Sequence, residues 1–537
     1  MNHKTEINLK LLIAIYAYLG IPTIIFLLGW CRCYIGIPVC VITIISIFLA
    51  VKEYKADIST SSVFDSTDKK KWLAIGVILF CWLVLSGVGG YVWQNDDHWW
   101  RNTIFQLLVE KQWPVISGEQ GMVYYIGFWM VPALVGKIFG IHAGFSAQFL
   151  WAFLGIALFY TLLCAWRKKV SIWPLILFIG FSGLDVIGTL LNSSDVISFF
   201  GVEHLERWAQ HYQYSSMTTQ LFWVFNQAIN AWLVSLLVFL YEKPRNILFT
   251  WSLLLITSPL PFVGLLPYII YFLFKRSDWD NVTGFGDYLK RAFTNFCSAQ
   301  NILGAVSIGL IVGIYFLGNS AGHVIPIFSG FSTSGVFATI FSSIILALVV
   351  TLWMSYCFCK RKSKIIPGKK LGILLCIFII PVALFLLSKN MDWNTYAYKL
   401  VFLGLFYLIE AGMYLILLHD TVADKGLFFL TCIWLFIIPR IIVGTSQDFC
   451  MRASIPALIL IFVWCVDALS NKKASKVTWI LIIVLLLGSI TPLHEIKRTL
   501  VYSKDAYILE FVQDTDVMTS INFSGSIDTL FWKHIAK

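Results

Sequence analysis

Residues 71–102 read KWLAIGVILFCWLVLSGVGGYVWQNDDHWWRN, and this stretch decides how the rest of the chain is read. Its first part, 71–93, is an apolar run longer than the ~20 residues a helix needs to cross a bilayer. Lys69, Lys70 and Lys71 stand at one end. At the other comes the densest polar cluster of the chain, Gln94-Asn95-Asp96-Asp97-His98-Trp99-Trp100-Arg101-Asn102. Lysines before a span and acids, imidazole and indoles after it orient the span by the positive-inside rule: the lysines face the cytoplasm and the acidic cluster lies outside.

The rest of the chain has the same character. Of its 537 residues 58% are hydrophobic and 13% charged, with a mean hydropathy of +0.79. A soluble domain carries roughly twice that charged fraction, so a water-soluble globule is excluded. Apolar runs predict spans at 9–28, 33–51, 71–93, 145–166, 171–191, 219–241, 246–258, 260–274, 301–317, 336–358, 371–388, 400–418, 426–443, 453–469 and 477–493. The expected fold is an all-α polytopic membrane protein of about 13–15 spans, because 246–258 and 260–274 meet at Ser258-Pro259-Leu260-Pro261 and could form one kinked helix. The first run, from Leu9 to about Trp30, is too long for a signal-peptide core and reads as a retained anchor.

Charge placement sets the threading. Lys69-Lys70-Lys71, Arg167-Lys168-Lys169 and Lys360-Arg361-Lys362 mark cytoplasmic loops, with the amino terminus inside. The net charge of +11 is dispersed over short loops instead of forming one face, which argues against a nucleic-acid partner. Residues 122–140 are apolar enough to cross, but a crossing would drive Arg167-Lys168-Lys169 outside. They are read instead as an interfacial helix on the outer leaflet, rich in Tyr and Trp and carrying Lys137. Three regions follow: 1–70 with two N-terminal spans and a basic loop, a core over 71–493 with outer loops at about 94–144 and 192–218, and a small extracytoplasmic tail, 494–537. The twelve cysteines show no zinc or disulfide spacing and read as apolar packing residues.

Candidate chemistry gathers in the outer segments. Asp97 and Arg101, four apart, share a face if the chain turns helical after the third span, giving a carboxylate that can act as base or ligand; a plain solvated helix start capped by Asn95 or Asp96 is the alternative. In loop 192–218, Glu203, Arg207 and His211 recur at four-residue spacing, with His204 alongside. The next span carries Gln220, Asn226, Gln227 and Asn230 into the bilayer, where amides need partners. Asp448 and Arg452 repeat the four-residue spacing before another span, with Arg440 and Asp185 at similar depth. No phosphate-cradling Gly-Lys-Ser/Thr loop is present, so cytosolic ATP or a nucleotide-sugar is not the expected donor.

In this order of parts the chain resembles the multipass glycosyltransferases of the GT-C superfamily. The likeness rests on Asn95-Asp96-Asp97-His98 after a span, the Trp113-Pro114 turn, the 122–140 segment and the span closing at Arg167-Lys168-Lys169. The phrases YSSMTTQLFWVFNQAI (214–229) and QDFCMRASIPAL (447–458) look like those of a little-characterised bacterial branch of the group. Two spans precede the one that would be the superfamily's first, and the tail is shorter than the soluble domain of many relatives.

The resemblance implies transfer of a sugar, with inversion, from a polyprenyl-phosphate donor to a hydroxyl of a glycan, lipid or protein. The site would face outward from the plasma membrane of a bacterium. Asp97, and after it Asp96, would take the acceptor proton. Arg452, Arg207, His204 and Arg101 would hold the donor phosphate, and Asn95, His98, Gln220, Asn226, Gln227 and Asp448 would line the substrate site. Some members use a divalent metal, magnesium or manganese, and others none; a metal here would sit on Asp96 and Asp97.

Two rival readings remain. A surface-polysaccharide polymerase or ligase would rely on Arg and His in loop 192–218. A transporter or lipid flippase would use Asp185, Glu410 and Arg440, although no internal repeat supports it.

Overall fold

The computed structural model describes residues 7–54, 68–192, 203–209, 212–275, 285–323, 396–441, 443, 448–470, 476–503 and 509–537. The expected spans 336–358 and 371–388, the basic run at 360–370 and His211 lie outside the described residues. Among the described residues the chain is all-α apart from three short strands. Among the described residues, seven helices are long and apolar enough to cross a membrane: Leu9–Trp30, Cys33–Glu53, Ile141–Trp166, Met217–Leu240, Gln300–Leu317, Asp448–Ser470 and Val477–Tyr502.

In chain order the first helices are α1 (Leu9–Trp30), α2 (Cys33–Glu53), α3 (Lys69–Leu85), α4 (Asp96–Glu110), α5 (Met130–Phe139), α6 (Ile141–Trp166), α7 (Trp173–Ile179), α8 (Asp185–Asn192) and α9 (Met217–Leu240). The strands are β1 (Ile116–Ser117), β2 (Gln120–Met122) and β3 (Ser524–Ser526). The chain divides into two compact units whose segments alternate along the sequence. Unit 1 takes in Gly180–Met217 and Pro326–Glu495, and unit 2 takes in Asn2–Ile179, Thr218–Ile325 and Ile496–Lys537.

In unit 2, α1 starts where the Asn8 side chain accepts from the Lys10 and Leu11 amides, a standard satisfaction of the free N–H groups at a helix start. The α1–α2 pair is tied to the end of α9 by one buried carboxylate. Glu242 accepts from Tyr54 Oη at 2.9 Å and from Thr250 Oγ1 at 2.7 Å, and more loosely from Tyr16 Oη at 3.3 Å. The 122–140 segment is not one long helix. Its helical part, Ile126–Phe139, is a 3-10 turn running into α5 and is too short for the ~30 Å hydrocarbon core at 1.5 Å per residue. Lys137 Nζ donates to the Val109 and Lys111 carbonyls, closing the end of α4. Gly140 reverses the chain into α6 with φ +89°, a conformation that favours glycine.

The tail returns to this unit. β3 pairs antiparallel with β2, Gly121 opposite Gly525, in a sheet ordered β1-β2-β3. Arg32 donates to the Ala536 and Lys533 carbonyls, and the Lys537 amide to the Trp30 carbonyl.

Three expected spans are interrupted. Region 171–191 is two helices, α7 and α8, separated by 180–184, and each is far too short to cross. The carboxylate of Asp185 heads α8 and takes its donors from Ser182 and Thr491. Region 246–258 holds only the six-residue helix Ile247–Ser252, whose Trp251 stacks on Phe262 at 3.8 Å. Region 219–241 is α9, broken at Val224, where φ is −138° and ψ 34°.

In unit 1, α8 packs with the turn Leu205–Ala209, and the Trp208 ring sits on Phe402 and Phe406. Tyr414 Oη donates to the Ser182 carbonyl. Phe181 lies against Tyr414 and Phe462.

Candidate functional site

The acidic cluster becomes helix α4, with Asn95 at its N-cap position and Asp96 and Asp97 in its first turn, where the helix dipole favours negative charge. Asp97 Oδ2 accepts from Arg101 at 2.9 Å, as their spacing predicts. The pair is asymmetric: the Arg101 side chain is 6% exposed and that of Asp97 43%. A buried guanidinium thus holds an accessible carboxylate in place. Asp96 is exposed.

The Asn95 side chain does not cap its own helix. Asn95 Nδ2 at 3.0 Å and His98 Nε2 at 2.9 Å both donate to the Phe222 carbonyl of α9. The break at Val224 explains this, because an intact helix would commit the Phe222 carbonyl to its own ladder. The His98 ring also stacks on Phe225. The tail fastens the other side of α4: Asn102 Nδ2 donates to the Glu510 carbonyl, Thr103 Oγ1 to the Val512 carbonyl, and Trp100 meets Phe523.

Burial, and after it the Arg101 charge, pushes the His98 imidazole down from 6.5 to about 4, so it is neutral at pH 7. The unfolded chain binds a proton near 6.5 that the folded chain refuses until about 4. Its contribution is therefore complete above pH 6.5 and is lost as pH falls toward 4, on the order of 3 kcal/mol in all. Thermal unfolding of His98→Gln should vary less between pH 7 and 4.5 than that of the wild type, and an equal drop in both would remove His98 as a source of acid sensitivity.

The other predicted residues of unit 2 divide. Gln220 Oε1 accepts from Trp232 Nε1 at 2.7 Å, so this amide is a packing partner. Asn226 and Gln227 are fully buried, and among the described residues neither amide has a side-chain hydrogen-bond partner. Arg498, which the sequence reading passed over as part of the tail, is buried with its guanidinium 5.2 Å from the Trp93 ring and 4.9 Å from the Trp223 ring. The only signal was a polar run, His494-Glu495-Ile496-Lys497-Arg498, following the last span.

Unit 1 holds the remaining candidates. His204 Nδ1 lies 2.7 Å from Glu495 Oε1 and its Nε2 4.0 Å from Glu206 Oε2, so two buried carboxylates flank the ring. Glu206 also accepts from the Ser216 amide and from Gln213 Nε2. Arg207 is exposed. Arg452 is buried and pairs with the more exposed Asp448 at 3.2 Å. Glu410 accepts from Trp208 Nε1 at 2.8 Å.

Among the described residues no group of three or more His, Cys, Asp and Glu is arranged to hold a metal ion. Asp97 Oδ2 is engaged by Arg101 and His98 Nε2 by the Phe222 carbonyl. Comparison of the chain with family models, with curated proteins and with solved structures gives no match.

Proposed function

We propose that this chain is a GT-C-type membrane glycosyltransferase of about 13–15 spans, moving a sugar from a polyprenyl-phosphate donor to a hydroxyl acceptor on the extracytoplasmic face. The observation that carries the reading is the acidic helix: Asp97 is accessible, anchored by buried Arg101, and sits at the start of α4, which follows the apolar helix α3 after the ten-residue connection 86–95. Asp97 takes the proton of the acceptor hydroxyl. The acceptor oxygen bonds to the anomeric carbon from the face opposite the phosphate, and the carbon–oxygen bond to the phosphate breaks. Polyprenyl phosphate leaves with the electron pair, and the anomeric configuration inverts. Arg101 keeps Asp97 aimed.

A surface-polysaccharide polymerase or ligase is the second reading, favoured by the buried His204–Glu495 pair, which could supply a base of its own. The deciding experiment places the full chain in nanodiscs with farnesyl-phosphate hexoses and pentoses and a panel of hydroxyl acceptors. The expected result is release of farnesyl phosphate and a product of inverted configuration. Inertness toward every monosaccharide donor, with joining of two lipid-linked oligosaccharides, would instead establish the polymerase. Sidedness is read by cysteine labelling from outside, which should modify positions 97, 207 and 448 but not 168 or 362.

A further inference from the structure

Unit 1 holds two buried acids that sugar transfer leaves unused. The expected span 171–191 breaks at 180–184, and Asp185, 1% exposed, follows the break at the head of α8. Glu410, 2% exposed, comes from Leu408–Gly412, a single wide turn of i→i+5 hydrogen bonds within an apolar helix, a device frequent at functional sites. The Leu184 amide donates to the Ile409 carbonyl and joins the two segments. Gly183 makes room for the second acid, since a Cβ there would collide with Glu410 Oε2. Donors are shared unevenly between the two. Asp185 Oδ2 accepts from Ser182 Oγ at 2.9 Å and from Thr491 Oγ1 at 3.1 Å. Glu410 Oε1 accepts from Trp208 Nε1 at 2.8 Å, while its Oε2 is buried and, among the described residues, receives no N–H or hydroxyl. What Glu410 does meet is the carboxyl of Asp185, in a side-chain hydrogen bond. Two ionised carboxylates have no hydrogen to place in such a bond.

The surroundings offer no cation in its stead. The other titratable groups close to the pair are Glu206, Tyr414 and Cys450, and among the described residues no Lys or Arg pairs with either acid. Glu206 already accepts from the Ser216 amide and Gln213 Nε2, with His204 on its far side. Two like charges in contact away from water cost far more than one charge and one proton. We propose that Asp185 and Glu410 form a proton-binding site, in which one proton carried by Glu410 is donated to Asp185 and fastens the head of α8 to the Leu408–Gly412 turn. Loss of that proton sets two like charges against each other, beside Glu206, and drives the two segments apart. An interrupted helix bearing an acid is a recurrent way to place a proton or sodium site inside a membrane protein. Here the direct carboxyl–carboxyl contact leaves no room for the larger ion, which favours the proton. The site does not depend on sugar transfer, since Asp97 belongs to unit 2.

The test uses the full chain in nanodiscs and the infrared absorption of protonated carboxyl groups, whose C=O stretch lies above the amide band and moves down in D2O. At pH 7 Glu410→Gln should show one carboxylic acid fewer than the wild type. Its Tm should stay close to the wild-type value, because the glutamine N–H donates to Asp185 in the proton's place, whereas Glu410→Ala supplies no donor and should unfold at a lower temperature. Should Glu410→Gln fail to fold, Asp185→Asn decides, since its amide N–H then faces Glu410 and the same acid should disappear. An undiminished band in the folded variant, or a wild type without such a band at pH 7, overturns the site. Replacing choline chloride by sodium chloride at constant ionic strength should leave the wild-type band unchanged; bleaching by sodium shows a metal ion taking the proton's place and overturns the proton as occupant. A protein inert toward every sugar donor, with one acid lost in Glu410→Gln, would sink the transferase and leave the proton site standing.

Discussion

Asp97→Asn should lower sugar transfer by roughly two to four orders of magnitude, the range for loss of a positioned general base. The substitution removes the proton acceptor while keeping the shape, and the Asn carbonyl oxygen can still accept from Arg101. Folding should therefore survive, and Tm should fall by little. Asp96→Asn should cost less, because Asp96 is exposed and among the described residues no buried cation pairs with it. Rates measured with saturating farnesyl-phosphate donor, alongside Tm for each variant, separate chemistry from folding. If both variants keep full rates, the acidic helix has only a structural role and the transferase reading loses its base.

The second large effect concerns stability. Glu242→Ala should destabilise the protein by about 3–5 kcal/mol, since it strands buried hydroxyl groups that now share one carboxylate. Tyr54 and Thr250 both donate to it, while Tyr16 Oη lies 2.9 Å from Thr250 Oγ1 and farther from the carboxylate. Glu242→Gln, which keeps an acceptor oxygen, should lose much less. Detergent-solubilised wild type and variants compared by thermal unfolding give the answer. A Tm for Glu242→Ala within a degree or two of the wild type would show that α1 and α2 are held by apolar contact alone.

The sequence by itself determined what depends on neighbours along the chain. Composition and run length define an all-α chain with helices long enough to cross a membrane, and α1, α2 and α6 fall close to where the apolar runs lie. Four-residue spacing located the Asp97–Arg101 and Asp448–Arg452 pairs, because on a helix those positions share a face whatever surrounds them. Charge placement set 122–140 apart from the expected spans, and its helical part, Ile126–Phe139, is shorter than the helices long enough to cross.

Tertiary structure decided the rest. Nothing in Trp223-Val224-Phe225 marks a helix break; it exists because Trp82, Gln220 and Trp232 pack into a corner, and it frees the Phe222 carbonyl for Asn95 and His98. Arg498 gains its meaning only where Trp93 and Trp223 enclose it, and the tail only where β3 meets β2. Most of these contacts join residues more than a hundred positions apart. A sequence pattern reports the period of a helix and the sign of a loop, but burial of a polar group is resolved only when distant segments supply its partner or leave it without one.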